Sequence, residues 1–290
     1  MPSKLPVIAA IPNYNMADSL QPLLAQMVEQ PHPYDAIYVL DDASTDDSRA
    51  VTKSFGSDVR FIAGRENLGS GGNRNRIFEA LKHASDTALI HFVDADVSLD
   101  TDERGKTNNP VPQIAPDLLK RDHRTAFVGG LVRDEQGKQF LFNHGPLFSL
   151  HSHLTSLLQI ASYNNPHLRS KLKERLAEFP DPAKQPVARL AHWVSEANFL
   201  IDSSVLARLG GFDPDLRDHD IQPISLQAKK QGLVGQFDPS FAVTHHPHNN
   251  HPWTRNITRQ FVGLKVVRQH SNWRDFVLPD GSFRPPAPDA

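Results

Sequence analysis

The first 93 residues alternate between short apolar runs and helical patterns, and this alternation restricts the fold more than any other feature. Four apolar runs lie at 7–11, 36–40, 59–62 and 88–93. Between the first two, leucine and methionine recur at the spacing of an amphipathic helix. A β-α-β-α-β-α-β order predicts a parallel sheet with helices on both faces.

Composition excludes several classes of function. The net charge of −2 gives no basic field, so no nucleic-acid partner is expected. The chain has no cysteine, hence no disulfide framework and no thiolate nucleophile. No apolar run approaches the roughly 18–20 residues of a membrane span, and the N-terminus lacks the apolar stretch of a signal peptide. We expect a cytoplasmic protein.

The fourth apolar run ends at the acidic pair of Asp94-Ala95-Asp96. A run of this kind is typical of a parallel strand that is buried on both faces. Polar side chains at the carboxyl end of such a strand lie where open α/β sheets bind ligands. Two carboxylates two residues apart can hold a divalent cation, and the cation can hold a phosphate. The sequence therefore predicts a metal-assisted phosphate site after this strand.

Polar segments also follow the first two apolar runs. Pro12, Asn13 and Asn15 follow the first run, and Asp41 and Asp42 follow the second. Because parallel strands end on the same edge of a sheet, these segments should face one crevice together with the acidic pair. Asn and Asp also start turns and cap helices. Three such segments on one edge nevertheless favour a site for a base and a ribose.

The ordered set of motifs resembles family 2 glycosyltransferases with the GT-A fold. That resemblance implies an α/β protein with a Rossmann-like, mostly parallel central sheet. It further implies a nucleotide-sugar-binding half at 1–100, an acceptor-binding and catalytic half at 101–253, and a C-terminal helix and tail at 254–290. The matching motifs are Ile11-Pro-Asn-Tyr-Asn, Val39-Leu-Asp-Asp-Ala-Ser-Thr-Asp-Asp-Ser, Asn67-Leu-Gly, Gly72-Asn-Arg-Asn, the Asp94-Ala95-Asp96 motif, Gly210-Gly-Phe-Asp, His219-Asp220 and His245-His246.

The resemblance also assigns roles on the donor side. It implies that Pro12, Asn13 and Asn15 lie by the nucleoside, that Asp41 or Asp42 pairs with the base, that Asn67 and Arg74 border the base and diphosphate, that Asp94 lies near the ribose and that Asp96 ligates Mn²⁺ or Mg²⁺. A histidine after a late strand completes the metal site in similar enzymes, and the register favours His245 over His246. His248 and His251 are further candidates for the diphosphate or acceptor.

On the acceptor side, the family usually has Glu-Asp where this chain has His219-Asp220. Asp220 then matches the general base, and Asp218 is the rival candidate. Either aspartate is equally suited to the N-terminus of the next helix. In relatives the stretch with Trp193 and Glu196 borders the sugar and the acceptor, although a tryptophan there also suits the core.

These roles imply a metal-dependent, inverting glycosyltransferase of hexosyltransferase type. One sugar would pass from a nucleotide-diphosphate sugar, by analogy UDP-linked, to an acceptor hydroxyl. The cation neutralises the leaving group, and a carboxylate deprotonates the hydroxyl. The expected acceptor is a glycan or a lipid-linked molecule in cell-surface polysaccharide, glycolipid or glycoprotein assembly.

The C-terminal half gives three further expectations. Residues 100–116 are polar and proline-bearing, which indicates a loop. The apolar residues of 150–161, namely Leu150, Leu154, Leu157, Leu158 and Ala161, fit one face of a helix. A last helix with Ile257, Phe261, Leu264 and Val267 is basic on its polar side, which is compatible with peripheral contact at the inner face of a membrane.

Three rival functions are compatible with parts of the sequence. Phe92-Val-Asp-Ala-Asp-Val-Ser resembles the first motif of a haloacid-dehalogenase phosphohydrolase, in which Asp94 would be the nucleophile and Asp96 the acid. That motif normally opens its domain, whereas three βα units precede it here. An inactive sugar-nucleotide-binding module would fit the missing Glu beside Asp220. A nucleotidyltransferase is less suited, because its glycine-rich loop is missing after the first strand.

Overall fold

A mixed nine-stranded sheet forms the centre of the protein in a computed structural model that describes residues 5–81, 87–162, 165–216, 219–246, 262–266 and 268. In chain order the strands are β1 (Val7–Asn13), β2 (Ala36–Asp41), β3 (Val59–Ala63), β4 (Leu89–Val93), β5 (Val97–Leu99), β6 (Thr125–Arg133), β7 (His144–Gly145), β8 (Arg189–Ala191), β9 (Trp193–Val194), β10 (Asn198–Asp202) and β11 (Val234–His245). The helices are α1 (Ala17–Glu29), α2 (Ser48–Ser54), α3 (Gly69–Arg74), α4 (Ile77–Leu81), α5 (Val111–Lys120), α6 (Leu150–Ser162), α7 (Pro166–Lys171), α8 (Ser203–Arg208) and α9 (Ile221–Lys230).

Most strands of the sheet run in one direction. The spatial order is β3-β2-β1-β4-β10-β6-β11-β5, with β8 beside β11. Strands β1 to β4 are parallel to their neighbours among themselves, and β6 is parallel to β11. Because β10 is antiparallel to both β4 and β6, β6 and β11 run the same way as β4. This order confirms the predicted α/β fold with a mostly parallel sheet.

Successive residues of β1 pack on opposite faces of the sheet. Ile8 and Ala10 belong to one buried apolar cluster, whereas Val7, Ala9 and Ile11 belong to another. Residues i and i+2 of a strand share a face, so a strand that is buried on both faces must be apolar at every position. The near-continuous apolar run of β1 is therefore what a strand buried on both faces requires.

The predicted loop at 100–116 is wrong in its second half. Residues from Val111 form α5, whose buried side carries Val111, Ala115 and Leu118. Pro110 and Pro112 lie at the start of the helix, where proline is tolerated because the first N–H groups have no partner within the helix. Two of the prolines that suggested a loop thus mark a helix start, whereas Pro116 lies inside the helix.

The predicted helix at 150–161 is present as α6, but its apolar face does not pack on the core. Leu154 is 53% exposed and Leu157 is 42% exposed. The buried side of the helix carries polar residues such as Ser152 and Gln159 instead. The predicted last helix lies mostly outside the described residues, within which 262–266 are helical. Among the helices that the structure describes, none combines the length and the hydrophobicity that a membrane span requires.

Four buried polar side chains form a row of hydrogen bonds that includes His91 of β4. Asn109 Nδ2 donates to Tyr34 Oη at 2.7 Å, and Tyr34 Oη lies 2.6 Å from His91 Nδ1. His91 Nε2 lies 2.7 Å from Asn198 Oδ1. The amide donor of Asn109 leaves the Tyr34 hydroxyl to donate to Nδ1, so the neutral Nε2–H form of His91 satisfies every member. Burial lowers the pKa of His91 to about 4, although the bond to Asn198 opposes the shift.

Acid should therefore destabilise the protein in the pH range in which the His91 imidazole of the unfolded chain binds its proton. The pKa of His91 lies below its ordinary value of 6.5 in the folded state, so the unfolded chain binds a proton first as the pH falls. Lowering the pH from about 7 to about 4.5 should cost about 2 kcal/mol of unfolding free energy through this residue. Urea unfolding at both pH values checks this, and His91→Gln should lose less stability between them. Equal losses in variant and wild type would contradict the assignment.

Candidate metal and nucleotide site

Strand β5, which the sequence did not predict, brings Asp96 next to His245. β5 pairs antiparallel with the end of β11, and Val97 lies opposite His245. The backbone N–H of His246 donates to the carbonyl of Asp96 at 2.8 Å. Residues that are about 150 positions apart in sequence are thus fixed side by side by backbone hydrogen bonds.

Asp94, Asp96 and His245 form a group that could hold a metal ion. One ligand atom from each lies within 4.8 Å of the others. His245 Nε2 lies 3.4 Å from Asp96 Oδ1. Carboxylate oxygens suit Mg²⁺ and Mn²⁺, and imidazole nitrogen suits the transition metals, so the set fits Mn²⁺ well. Asp94 thereby joins the predicted ligands Asp96 and His245.

The electrostatics of the group favour a cation. Burial raises the pKa of Asp94 to about 7, and the nearby carboxylate of Asp96 acts in the same direction, whereas Arg74 opposes the rise. Two carboxylates that crowd each other in a partly buried place favour a shared positive charge. A divalent cation can supply that charge in place of a proton.

His246, the other predicted ligand, lies outside this group. Its Nδ1 lies 3.0 Å from Glu135 Oε1, and its Nε2 lies 2.9 Å from Ser98 Oγ. Both ring nitrogens thus face other side chains, while its backbone fixes Asp96. His248 and His251 lie outside the described residues.

The loops after β1 and β2 are joined by side-chain hydrogen bonds. Asn13 Nδ2 donates to Asp41 Oδ1 at 2.9 Å and to Ser44 Oγ at 3.1 Å. The Ser44 hydroxyl also accepts from the N–H of Asn15, and the Asn15 side chain accepts from the N–H of Thr45 at 2.7 Å. The structure thus brings Asn13, Asn15 and Asp41 together beside Pro12 at the predicted edge. Ser44, which the sequence analysis did not select, is the central bridge.

Asp42 holds the glycine-rich loop. Its two carboxylate oxygens accept from the N–H groups of Leu68 and Gly69, each at 2.9 Å. Asn67 Oδ1 also accepts from the N–H of Gly69, at 3.2 Å. Arg76, a buried residue that the sequence analysis missed, contacts Asp42 at 3.3 Å. Both carboxylates of the pair are thus occupied by donors from the protein, because Asp41 accepts from Asn13 Nδ2 and from the N–H of Ser44.

Arg74 connects the metal group to the acceptor side. Its guanidinium donates to Asp94 at 2.8 Å, to Asp220 at 2.5 Å and to the carbonyl of Glu196 at 3.3 Å. Arg74 is only 2% exposed. Burial opposes its charge, but the carboxylates of Asp94 and Asp220 outweigh this and raise the pKa of Arg74. The guanidinium of Arg74 therefore stays positively charged. It connects the residue after β4, Asp94, to the residue before α9, Asp220.

The two predicted acceptor-side carboxylates differ in accessibility. Asp220 is 0% exposed and is bound to Arg74. The side chain of Glu196 is partly exposed, and its Oε1 accepts from the N–H of Ile221 at 3.2 Å. Gly71 allows helix α3 to pack closely against the segment before α9, because a Cβ at Gly71 would lie 2.9 Å from the carbonyl of Asp213. Asp218 lies outside the described residues.

Trp193 lies in the core. It is 6% exposed, and a Cβ on Gly145 of the paired strand β7 would lie 2.1 Å from its indole ring. The packing of the indole against this glycine accounts for the tryptophan without a sugar.

Comparisons with known proteins show what the chain resembles. The model of the family described as glycosyl transferase family 2 matches residues 8–109. No curated protein sequence matches the chain. The family match confirms the resemblance over residues 8–109, which contain the loops after β1 and β2, Arg74 and the Asp94-Ala95-Asp96 motif.

Solved structures share the fold of most of the chain. A mannosyltransferase from Pyrobaculum calidifontis in complex with GDP-Man and Mn²⁺ is 17% identical, with a TM-score of 0.56 over 92% of this chain and 66% of that one. Glucosyl-3-phosphoglycerate synthase from Mycobacterium tuberculosis, solved with Mn²⁺, UDP and phosphoglyceric acid, is 14% identical, with a TM-score of 0.53 over 92% and 80%. TarS from S. aureus in complex with UDP-GlcNAc is 16% identical, with a TM-score of 0.53 over 84% and 60%. The chain therefore spans just under two thirds of the mannosyltransferase, and its fold is the GT-A fold of these glycosyltransferases.

Proposed function

We propose that the protein is a metal-dependent glycosyltransferase that moves one sugar from a nucleotide-diphosphate sugar to an acceptor hydroxyl with inversion. The observation that carries the proposal is the group of Asp94, Asp96 and His245 at the carboxyl end of β4. The family match over residues 8–109 supports the donor class. UDP is the preferred nucleotide, and the acceptor is a glycan or a lipid-linked molecule.

The proposed role of each residue follows from the strand end at which it lies. Asp96, His245 and Asp94 would hold the divalent cation, preferably Mn²⁺. A cation at this place would supply positive charge to the leaving diphosphate. Asn13, Asn15 and Asp41 orient the nucleoside at the next two strand ends. This arrangement fixes the donor so that the opposite face of its sugar meets the acceptor.

A carboxylate must take the proton of the acceptor hydroxyl. Asp220 is the counterpart expected from the family, but its carboxylate is sealed from solvent and bound to Arg74. Glu196 lies beside the same guanidinium and presents a partly exposed carboxylate. We therefore propose Glu196 as the general base and Asp220 as the residue that positions Arg74.

Thermal-shift measurements with and without Mn²⁺ test the donor site directly. UDP, GDP, CDP and dTDP are compared on the wild type and on Asp96→Ala. One nucleotide should stabilise the wild type only with metal, and Asp96→Ala should weaken that metal-dependent binding by at least about 10–100-fold, the loss usual even for outer-shell residues.

A matched control removes an exposed carboxylate outside the site. Glu103→Asn should leave the nucleotide response unchanged, because Glu103 lies in an exposed loop. No response to any nucleotide, combined with phosphate-ester hydrolysis that requires Asp94, would overturn the proposal in favour of a phosphohydrolase. Donor binding without turnover of any donor would instead favour an inactive binding module.

A further inference from the structure

Helix α6 turns its polar side towards the core and its apolar side outward. Its buried residues are almost all polar: Ser152, His153, Thr155, Gln159 and Ser162. The large apolar side chains on the outside are Leu154, Leu157 and Ile160, which are 53%, 42% and 44% exposed. Helices on the surface of a water-soluble domain normally show the reverse pattern. Three large aliphatic side chains on adjacent turns therefore form a face that water does not favour.

Hydrogen bonds on the buried side fix this orientation. The Ser152 hydroxyl donates to the carbonyl of Leu147 at 2.7 Å, and Gln159 Nε2 donates to the carbonyl of Leu141 at 2.7 Å. Rotating the helix to bury its leucines would break both bonds and leave buried backbone carbonyls without donors. The apolar face is therefore held outward by specific contacts.

Exposed cations lie on helix α7, which contacts α6. Lys171, Lys173 and Arg175 at and after the end of α7 are exposed, with Glu174 and Glu178 as the acidic residues of the stretch. The helical segment 262–266 reaches α6 from its buried side, because a Cβ on Gly263 would lie 2.5 Å from the ring of His153, which is 5% exposed. Lys265 of that segment donates to the carbonyl of Asp215 at 3.3 Å.

An apolar face beside exposed cations is the pattern of a surface that rests on an anionic bilayer. A symmetric contact between two copies of the chain would bring the same patch against itself, and the cations of α7 would then gain no opposite charge. We propose that the outer face of α6, defined by Leu154, Leu157 and Ile160, docks on the surface of an anionic lipid bilayer, with the exposed cations of α7 beside the headgroups. This places the membrane contact on α6.

Vesicle flotation tests this surface without any sugar transfer. The full-length protein is mixed with vesicles of phosphatidylcholine, or of phosphatidylcholine and phosphatidylglycerol. The wild type should bind the anionic vesicles better. The triple variant Leu154→Gln, Leu157→Gln, Ile160→Gln should bind them at least about tenfold more weakly, because it removes the inserting side chains. Lys171→Glu with Lys173→Glu should remove the preference for anionic lipid.

Two controls keep the outcomes separate. Val187 and Leu190 are exposed apolar residues outside α6, and Val187→Gln with Leu190→Gln should leave vesicle binding unchanged. The triple variant should keep the wild-type nucleotide thermal shift, so its failure to bind lipid differs from a failure of the proposed donor site. The proposal is overturned if the wild type does not bind anionic vesicles, if the triple variant binds like wild type, or if the control double variant loses equally. Light scattering that shows a dimer, broken by the triple variant, would assign the face to a second copy.

Discussion

Replacing Glu196 by glutamine should lower kcat by about 10²–10⁴-fold, the usual contribution of a positioned general base. Glutamine keeps the shape of the side chain, and its carbonyl oxygen can still accept from the N–H of Ile221, as Glu196 Oε1 does at 3.2 Å. The start of α9 should therefore stay in place. The variant loses only the ability to take a proton from the acceptor.

The measurement is the release of nucleoside diphosphate from the donor that thermal shifts identify, in the presence of acceptor. The nucleotide and Mn²⁺ affinities of Glu196→Gln should match the wild type, because Glu196 is outside the group of Asp94, Asp96 and His245. Glu103→Gln, in an exposed loop, is the matched control and should keep full activity. A Glu196→Gln enzyme with wild-type kcat would return the role of base to Asp220 or Asp218.

Asp220→Asn should instead act mainly on stability, with an expected loss of about 3–5 kcal/mol in unfolding free energy. Asp220 is 0% exposed, and its partner Arg74 is 2% exposed. Removing the carboxylate charge leaves the guanidinium with Asp94, whose side chain is 29% exposed. A buried charge that loses a partner costs far more than an exposed ion pair contributes.

Urea unfolding of four proteins isolates this effect: the wild type, Asp220→Asn, Arg74→Met and the double variant. The double variant should be more stable than the sum of the two single losses predicts. It also removes the buried guanidinium that loses one of its two carboxylate partners in Asp220→Asn. Asp215→Asn, at an exposed aspartate nearby, should change stability by no more than about 0.5 kcal/mol. If Asp220→Asn is as stable as wild type but inactive, Asp220 is catalytic rather than structural.

Much of the fold could be predicted from residue patterns, because parallel strands that are buried on both faces are apolar at every position. The runs at 7–11 and 36–40 correspond to β1 and β2, and each strand ends in one polar residue of the site, Asn13 or Asp41. The proline-rich segment around Val111 could not be predicted with equal success. Prolines are compatible with both a loop and a helix start, and burial against the sheet decides between them.

The candidate site, like the fold, could be predicted only in part from the sequence. Asn13, Asp41 and Asp94 lie at the carboxyl ends of β1, β2 and β4, which are parallel, so their meeting at one edge of the sheet could be inferred. The nearness of His245 to Asp96 came from the resemblance alone, because the backbone pairing of β5 with β11 joins segments about 150 residues apart. The link from Arg74 to Asp220 spans 146 residues and left no local pattern.

Strand periodicity and the polar residues at each strand end were enough to predict the parallel α/β half and the acidic pair. The burial of Asp220 and the direction in which α6 faces depend instead on contacts between distant parts of the chain, which leave no periodic pattern. Periodicity shows that a helix has an apolar side, but not whether that side meets the core or the outside. In α6 that choice is made by Ser152 and Gln159, whose hydrogen bonds to the carbonyls of Leu147 and Leu141 turn the leucines outward.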